Sequence, residues 1–282
     1  MLGEGPVWDQ RGGRLHWVDI RSGLVHRFSP SDGSDQVIDV GQPVSAVGLG
    51  ERGGLVLAIR DGFGLVPAGS DRVEHVIEVE KDLAGNRMND GRVDPAGRFW
   101  AGTMADRWED APGAGALYRL DGASGALAAT KVTGGITVAN GIDWTPDGRH
   151  MYYVDSPTQR VDIFDFDTGA PRNRSAFVEI PPAEGLPDGL VVDADGGVWV
   201  ALFGAGTLRR YSPSGRVDQE IRLPVTLVTS AAFGGPDLAD LYITTARHRL
   251  TEQQRERQPQ AGSLFRCRPG PVGKPAYRFA WA

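Results

Sequence analysis

Cysteine is almost missing from this sequence: Cys267 stands alone among 282 residues. A single thiol makes no intrachain disulfide, no thiolate metal cluster and no CxxC redox pair. Long apolar runs are missing too, and nothing after Met1 has the basic start and apolar stretch of an export signal. Neither a membrane span nor a secretory leader is expected, and the chain reads as cytoplasmic. Basic charge is in short supply, with 30 Lys and Arg against 36 Asp and Glu and a formal net charge of -6. Such a field repels phosphate backbones and anionic lipid, which argues against a nucleic-acid or membrane partner. No Gly-x-Ser-x-Gly stretch occurs, so the nucleophile elbow of a serine hydrolase is not expected. The five histidines, His16, His26, His75, His150 and His248, share no ligand spacing and are read as strand or surface residues.

What is plentiful is turn chemistry. Gly at 39 and Pro at 19 interrupt helices and serve wherever strands reverse, so many short strands are expected. One phrase recurs: a strand, a tight Asp/Gly turn, and a second apolar strand. It runs from Glu4 to Gly12 into Leu15-His16-Trp17-Val18, and from Ser45 to Gly53 into Leu55-Val56-Leu57. It returns from Asn89 to Gly97 into Phe99-Trp100, from Asn140 to Gly148 into Met151-Tyr152-Tyr153, and from Asp188 to Gly196 into Val198-Trp199-Val200-Ala201. A sixth, slightly shifted copy runs from Ser230 through Gly235-Pro236-Asp237 into Leu241-Tyr242-Ile243-Thr244. A third apolar strand follows most of these pairs, as in Val161-Asp162-Ile163-Phe164. Each unit is then a meander of about four strands over roughly 40 to 50 residues, the size of a propeller blade. Six units over residues 1–282 predict one all-β, six-bladed β-propeller. Trp8, Trp17, Trp100, Trp144 and Trp199 recur at repeat positions and are expected to pack between blades. Gly48-Leu49-Gly50-Glu51-Arg52-Gly53 has dinucleotide-fingerprint spacing, but no helix follows it and its glycines read as turn residues. The charged run from Arg247 to Gln260 is the one place where a helix could sit; it reads most simply as a solvated loop.

Equivalent positions of a propeller's blades lie around one axis, so the leading residues of the repeats are expected to form a ring. That ring reads Glu4, Ser45, Asn89, Asn140, Asp188 and Ser230, every one an oxygen donor. Buried and unpaired, such groups are costly, and two carboxylates among them call for a hard divalent cation such as Ca²⁺, Mg²⁺ or Mn²⁺, with Zn²⁺ less natural without His or Cys. The competing reading makes Asn140-Gly141 and Asp188-Gly189 ordinary turn pairs. It accounts less well for Glu4, which is no turn former.

The residues resemble a known family, the one containing regucalcin (senescence marker protein 30), gluconolactonases and related bacterial sugar lactonases. The resemblance spans nearly the whole chain and rests on Leu2-Gly3-Glu4-Gly5-Pro6-Val7-Trp8, on Gly85-Asn86-Arg87-Met88-Asn89-Asp90-Gly91, and on Asn140-Gly141-Ile142 and Pro187-Asp188-Gly189, with Ala232-Phe233-Gly234-Gly235-Pro236-Asp237 near the end. It implies one divalent metal ion on Glu4, Asn140 and Asp188, Ca²⁺ first, with Mg²⁺, Mn²⁺, Zn²⁺ or iron as alternatives. It also implies that Arg87 and Asn89 hold a small-molecule sugar lactone, although an arginine taken alone serves as often in a blade-bridging salt bridge. Metal-ion chemistry would then polarise the lactone carbonyl and activate a water, with Asp188 as ligand and general base. Two alternatives stay open: a hydrolase of other esters or organophosphates at the same site, and a non-catalytic metal-binding propeller. Two departures from the family pattern stand out. Met1 lies three residues before Glu4, where relatives carry a further strand, so either Tyr277-Arg278-Phe279-Ala280 closes the ring or the start of the sequence lies too late. The stretch Ala105-Asp106-Arg107-Trp108-Glu109-Asp110 differs from regucalcin's acidic lid loop and leaves the particular sugar open.

Overall fold

The computed structural model describes residues 1–122, 125–167 and 169–281. Six small antiparallel sheets form the blades of a β-propeller, each entered at the axis and left at the rim. The innermost strands are Gly3–Asp9, Val44–Gly50, Asn86–Val93, Ala139–Trp144, Leu186–Val192 and Val228–Gly234. Each is the leading strand of one repeat. Asn140-Gly141 and Asp188-Gly189 therefore lie inside strands, which removes the ordinary-turn reading of those pairs.

Burial follows from this stacking. A blade in the ring has a neighbour on both faces, so its middle strands need apolar residues at every position, not at alternate ones. Val198–Phe203, reading Val-Trp-Val-Ala-Leu-Phe, is an example. Its alternate residues serve different interfaces. Val198, Val200 and Leu202 pack with Tyr152 and Val154 of the preceding blade, while Trp199 and Ala201 pack with Ala231 and Ile243 of the following one. Trp100, Trp144 and Trp199 are fully buried, and Trp8 and Trp17 nearly so, as expected for residues between blades. A buried aspartate supports two of them. Asp94 accepts from the Trp100 indole Nε1 at 2.8 Å and Asp193 from Trp199 Nε1 at 2.9 Å, while their other oxygens cap the backbone N–H groups of the following turn.

The C-terminal segment straps the last blade to the second. Arg278–Phe279 pairs in parallel with Leu49 and Gly50, making the second sheet five-stranded. On the way there the segment crosses the propeller's face. Gly273 N–H donates to Leu238 O at 2.8 Å, Lys274 Nζ to Asp143 Oδ1 at 2.7 Å, and Ala280 N–H to Gly97 O at 2.8 Å, while Arg278 pairs with Asp9. The expectation that Tyr277 to Ala280 joins the two ends of the circle is not met: the segment instead adds a strand to the second blade, and Lys274 adds an anchor near the axis. The last blade meets the first directly, through the Leu2–Ala246 bridge and Thr229 Oγ1 donating to Gly3 O at 2.6 Å. Within the charged run, Glu252–Arg257 is a short exposed helix, started by a capping box between Thr251 and Gln254. Among the described residues no helix is long and apolar enough to cross a membrane.

Candidate functional site

Every innermost strand carries a β-bulge at its leading residue. The pairing skips Gly5-Pro6, Ser45, Asn89-Asp90, Gly141, Asp188-Gly189 and Thr229 in the six blades in turn. A bulge turns a strand locally and re-aims side chains. Glycine lies in or beside it in four of the six blades, where the innermost strands close on one another at the axis. A Cβ on Gly141 would stand 2.7 Å from the Asp188 carbonyl oxygen, and one on Gly189 would stand 2.3 Å from Ser230 Oγ.

Two cavities result. The C-terminal halves of the innermost strands line one, shared with Lys274 and Tyr277 of the C-terminal segment. The N-terminal halves line the other, an open-mouthed pocket that contains Glu4, Arg87, Asn89, Asn140 and Asp188. All five residues singled out from the sequence thus meet in one place. The wider ring does not. Ser45 and Ser230 are buried away from the pocket, and Ser45 Oγ donates to its own sheet, to Ala58 O at 3.3 Å. A serine side chain is too short to reach past a bulged backbone that has its own carbonyls to satisfy.

Three of the five, Arg87, Asn89 and Asn140, are wired together. Arg87 Nη1 donates to Asn89 Oδ1 at 2.7 Å, and Asn89 Nδ2 donates to Ala139 O at 2.8 Å and Asn140 Oδ1 at 3.2 Å. Asn140 Nδ2 donates to Ser156 Oγ at 2.8 Å, which fixes the amide so that its oxygen faces the pocket side. Arg87 is also held by Asp106, with Nε 3.3 Å from Oδ1. Glu4 and Asp188 are both buried, at 7% exposure each. Burial pushes both carboxyls well above the ordinary range, and repulsion adds to it, from Asp188 and Asp90 on Glu4 and from Asp90 on Asp188. Asp90 is itself pushed up to about 6 by burial, against the pull of Arg92. These acids are therefore poorly neutralised by the protein alone. The donor set of Glu4, Asn140 and Asp188, all oxygen and with two uncompensated carboxylates, could hold a hard divalent cation. No third His, Cys, Asp or Glu joins them among the described residues.

The remaining lining was not legible as a site. Leu2, Ile20, Met104, Val138, Leu186 and Phe203 make an apolar wall, and Trp108, His248 and Arg249 stand at the mouth. His248, expected as a strand or surface residue, is thus a pocket residue. Spacing could not reveal it, because it comes from a loop of the last blade. Asp90 carried one signal, its place directly after the ring residue Asn89.

The family model described as the SMP-30/gluconolactonase/LRE-like region matches residues 2–247. Regucalcin of Gallus gallus is 37% identical, covering 99% of this chain and 95% of its own. A protein of Bacillus subtilis (strain 168), provisionally named sugar lactone lactonase YvrE, is 37% identical over 94% of this chain and 90% of its own. A solved calcium-binding protein, regucalcin, from Agrobacterium tumefaciens str. C58 superposes with a TM-score of 0.92 at 32% identity, covering 99% of this chain and 94% of that one.

Proposed function

This chain belongs to the SMP-30/gluconolactonase/LRE-like family, and on that premise we propose that it hydrolyses a small sugar lactone to its open acid at the pocket of Glu4, Asn140 and Asp188. It is an enzyme of the lactonase class. The observation that carries the proposal is the pair of buried, mutually destabilised carboxylates facing a small pocket that also holds Arg87 and Asn89. Glu4, Asn140 and Asp188 would bind one divalent cation, for which Ca²⁺ is the first candidate. When bound it supplies positive charge that polarises an ester carbonyl and acidifies a water.

The protein's own groups do the rest. Asp188, holding the cation through one carboxylate oxygen, would offer its other oxygen to the proton of the attacking water. Arg87 would offer its remaining guanidinium N–H groups to the sugar hydroxyls, and Asn89, whose own N–H groups are taken by Ala139 O and Asn140 Oδ1, holds it in place, so little freedom is lost when it engages. The apolar wall limits bulk water around the ester. The test is a pH-stat assay over a panel of aldonolactones, with and without chelator. Hydrolysis that chelator stops and added cation restores is expected. Turnover confined to phosphotriesters, or cation binding without any turnover, would overturn the proposal.

A further inference from the structure

The pocket carries one cation to which the proposed hydrolysis gives no role, Arg249, which lines it with His248 from the last blade. Arg21 follows the strand Arg14–Asp19 and stands close enough to Arg87 and His248 for its charge to disfavour protonation of both. Burial acts first on each, and these neighbours add to it: Arg87 is brought down to about 10 and His248 to about 4. His248 is therefore a neutral imidazole near pH 7, and its buried Nδ1 has no hydrogen-bond partner among the described residues.

The nearby acids leave these cations poorly matched. Asp106 is shared, 3.0 Å from Arg60 and 3.3 Å from Arg87. Asp110 is taken by Arg107 at 2.7 Å. Glu109 faces Arg249 at 3.9 Å, with both side chains about half exposed, a loose contact that a better-placed anion displaces at little cost. Arg21 makes no hydrogen bond or ion pair among the described residues. A chain with net charge -6 thus sets a loosely paired guanidinium, that of Arg249, at the pocket that holds Glu4 and Asp188. Arg249 also lies within electrostatic reach of Asp188, so one small ligand can span the two.

We propose that the substrate lactone carries an anionic substituent away from its ester group, and that Arg249, supported by Arg21, receives it at the pocket mouth. This rests on the lactonase reading above and narrows it. Guanidinium suits the role because its planar fork matches the oxygens of phosphate, sulfonate or carboxylate. The apolar wall would lie along the sugar ring between the two charged ends.

The experiment compares kcat/KM for phosphogluconolactone and its uncharged parent, gluconolactone, in the wild-type protein, Arg249→Gln and Arg21→Gln. Wild type is expected to prefer the charged lactone. The ratio should fall on the order of tenfold to a hundredfold in Arg249→Gln, mostly through KM, as one charge-assisted hydrogen bond is lost. A smaller fall is expected for Arg21→Gln, and added salt should lower the wild-type ratio. Turnover of the neutral lactone with no preference for the charged one, or a ratio unmoved by Arg249→Gln, overturns this inference while leaving the lactonase reading standing. Turnover of neither lactone overturns both.

Discussion

Asp188 is held in a state the isolated protein does not favour. Its carboxyl and that of Glu4 are raised by burial and then by one another's neighbourhood, with Asp90 adding to both. Removing one of two crowded acids should relieve the cation-free protein while ruining the set of donors. Asp188→Asn is therefore expected to keep or slightly raise the melting temperature without added metal. It should lose the rise that Ca²⁺ gives the wild type, and lose turnover by orders of magnitude. Thermal melts with and without Ca²⁺, beside the lactone assay, check this. Full activity in the variant would remove Asp188 from the mechanism. At this scale the sequence was informative where a side chain is long enough to reach the axis, as Glu4, Asn89, Asn140 and Asp188 do. It misled at Ser45, whose hydroxyl donates to Ala58 O.

The inner strand is the element that makes the site. Its bulge turns the leading residue toward the pocket, and the glycine beside it lets the next blade come close. Gly141→Ala would place a methyl 2.7 Å from the Asp188 carbonyl and 2.9 Å from Leu190 N, forcing apart the two strands that carry Asn140 and Asp188. Overpacking of this kind costs about 1–3 kcal/mol. The variant should unfold at lower denaturant and bind Ca²⁺ more weakly, which urea titration and calorimetry would show. Unchanged Ca²⁺ affinity would mean that the spacing of these strands does not set the site. The bulges were hidden in the sequence, because a bulge is a property of two paired strands and the pairing register is not local. The turns were legible, since each rests on Gly, Asp or Pro within a few residues of itself.

The whole molecule depends on how its C-terminal segment is strapped down. Lys274 is largely but not fully buried, its side chain 14% exposed, and its ammonium meets Asp143, which is fully buried, at 2.7 Å; Arg92 lies farther off at 3.9 Å. Removing one partner of a buried pair strands the other. Lys274→Met is expected to destabilise the protein by about 3 kcal/mol, the lower end of the usual range because Arg92 remains. Adding Asp143→Asn should recover part of the loss, and urea unfolding of the three proteins measures both. Acid should act at the same anchors. Against the cost of burial, Lys274 and Arg92 hold Asp143 below the ordinary carboxylate range, and Arg278 does so for Asp9. Groups lowered in the folded state contribute stability above the unfolded value, about 4, and lose it as pH falls through their folded values. The gap in stability between wild type and Lys274→Met should therefore narrow below about pH 4, a trend that pH-dependent melts would reveal. The sequence alone determined the blades and their number, because strand periodicity and turn chemistry are written within a few residues. It also determined which acids and amides stand at equivalent places in the repeats. Only the tertiary structure decided which of those places open into the pocket, that His248 and Arg249 line it within reach of Arg21's charge, and that Lys274 anchors the C-terminal segment. Those outcomes depend on circular closure, which brings residues from opposite ends of the chain within reach of one another's charge.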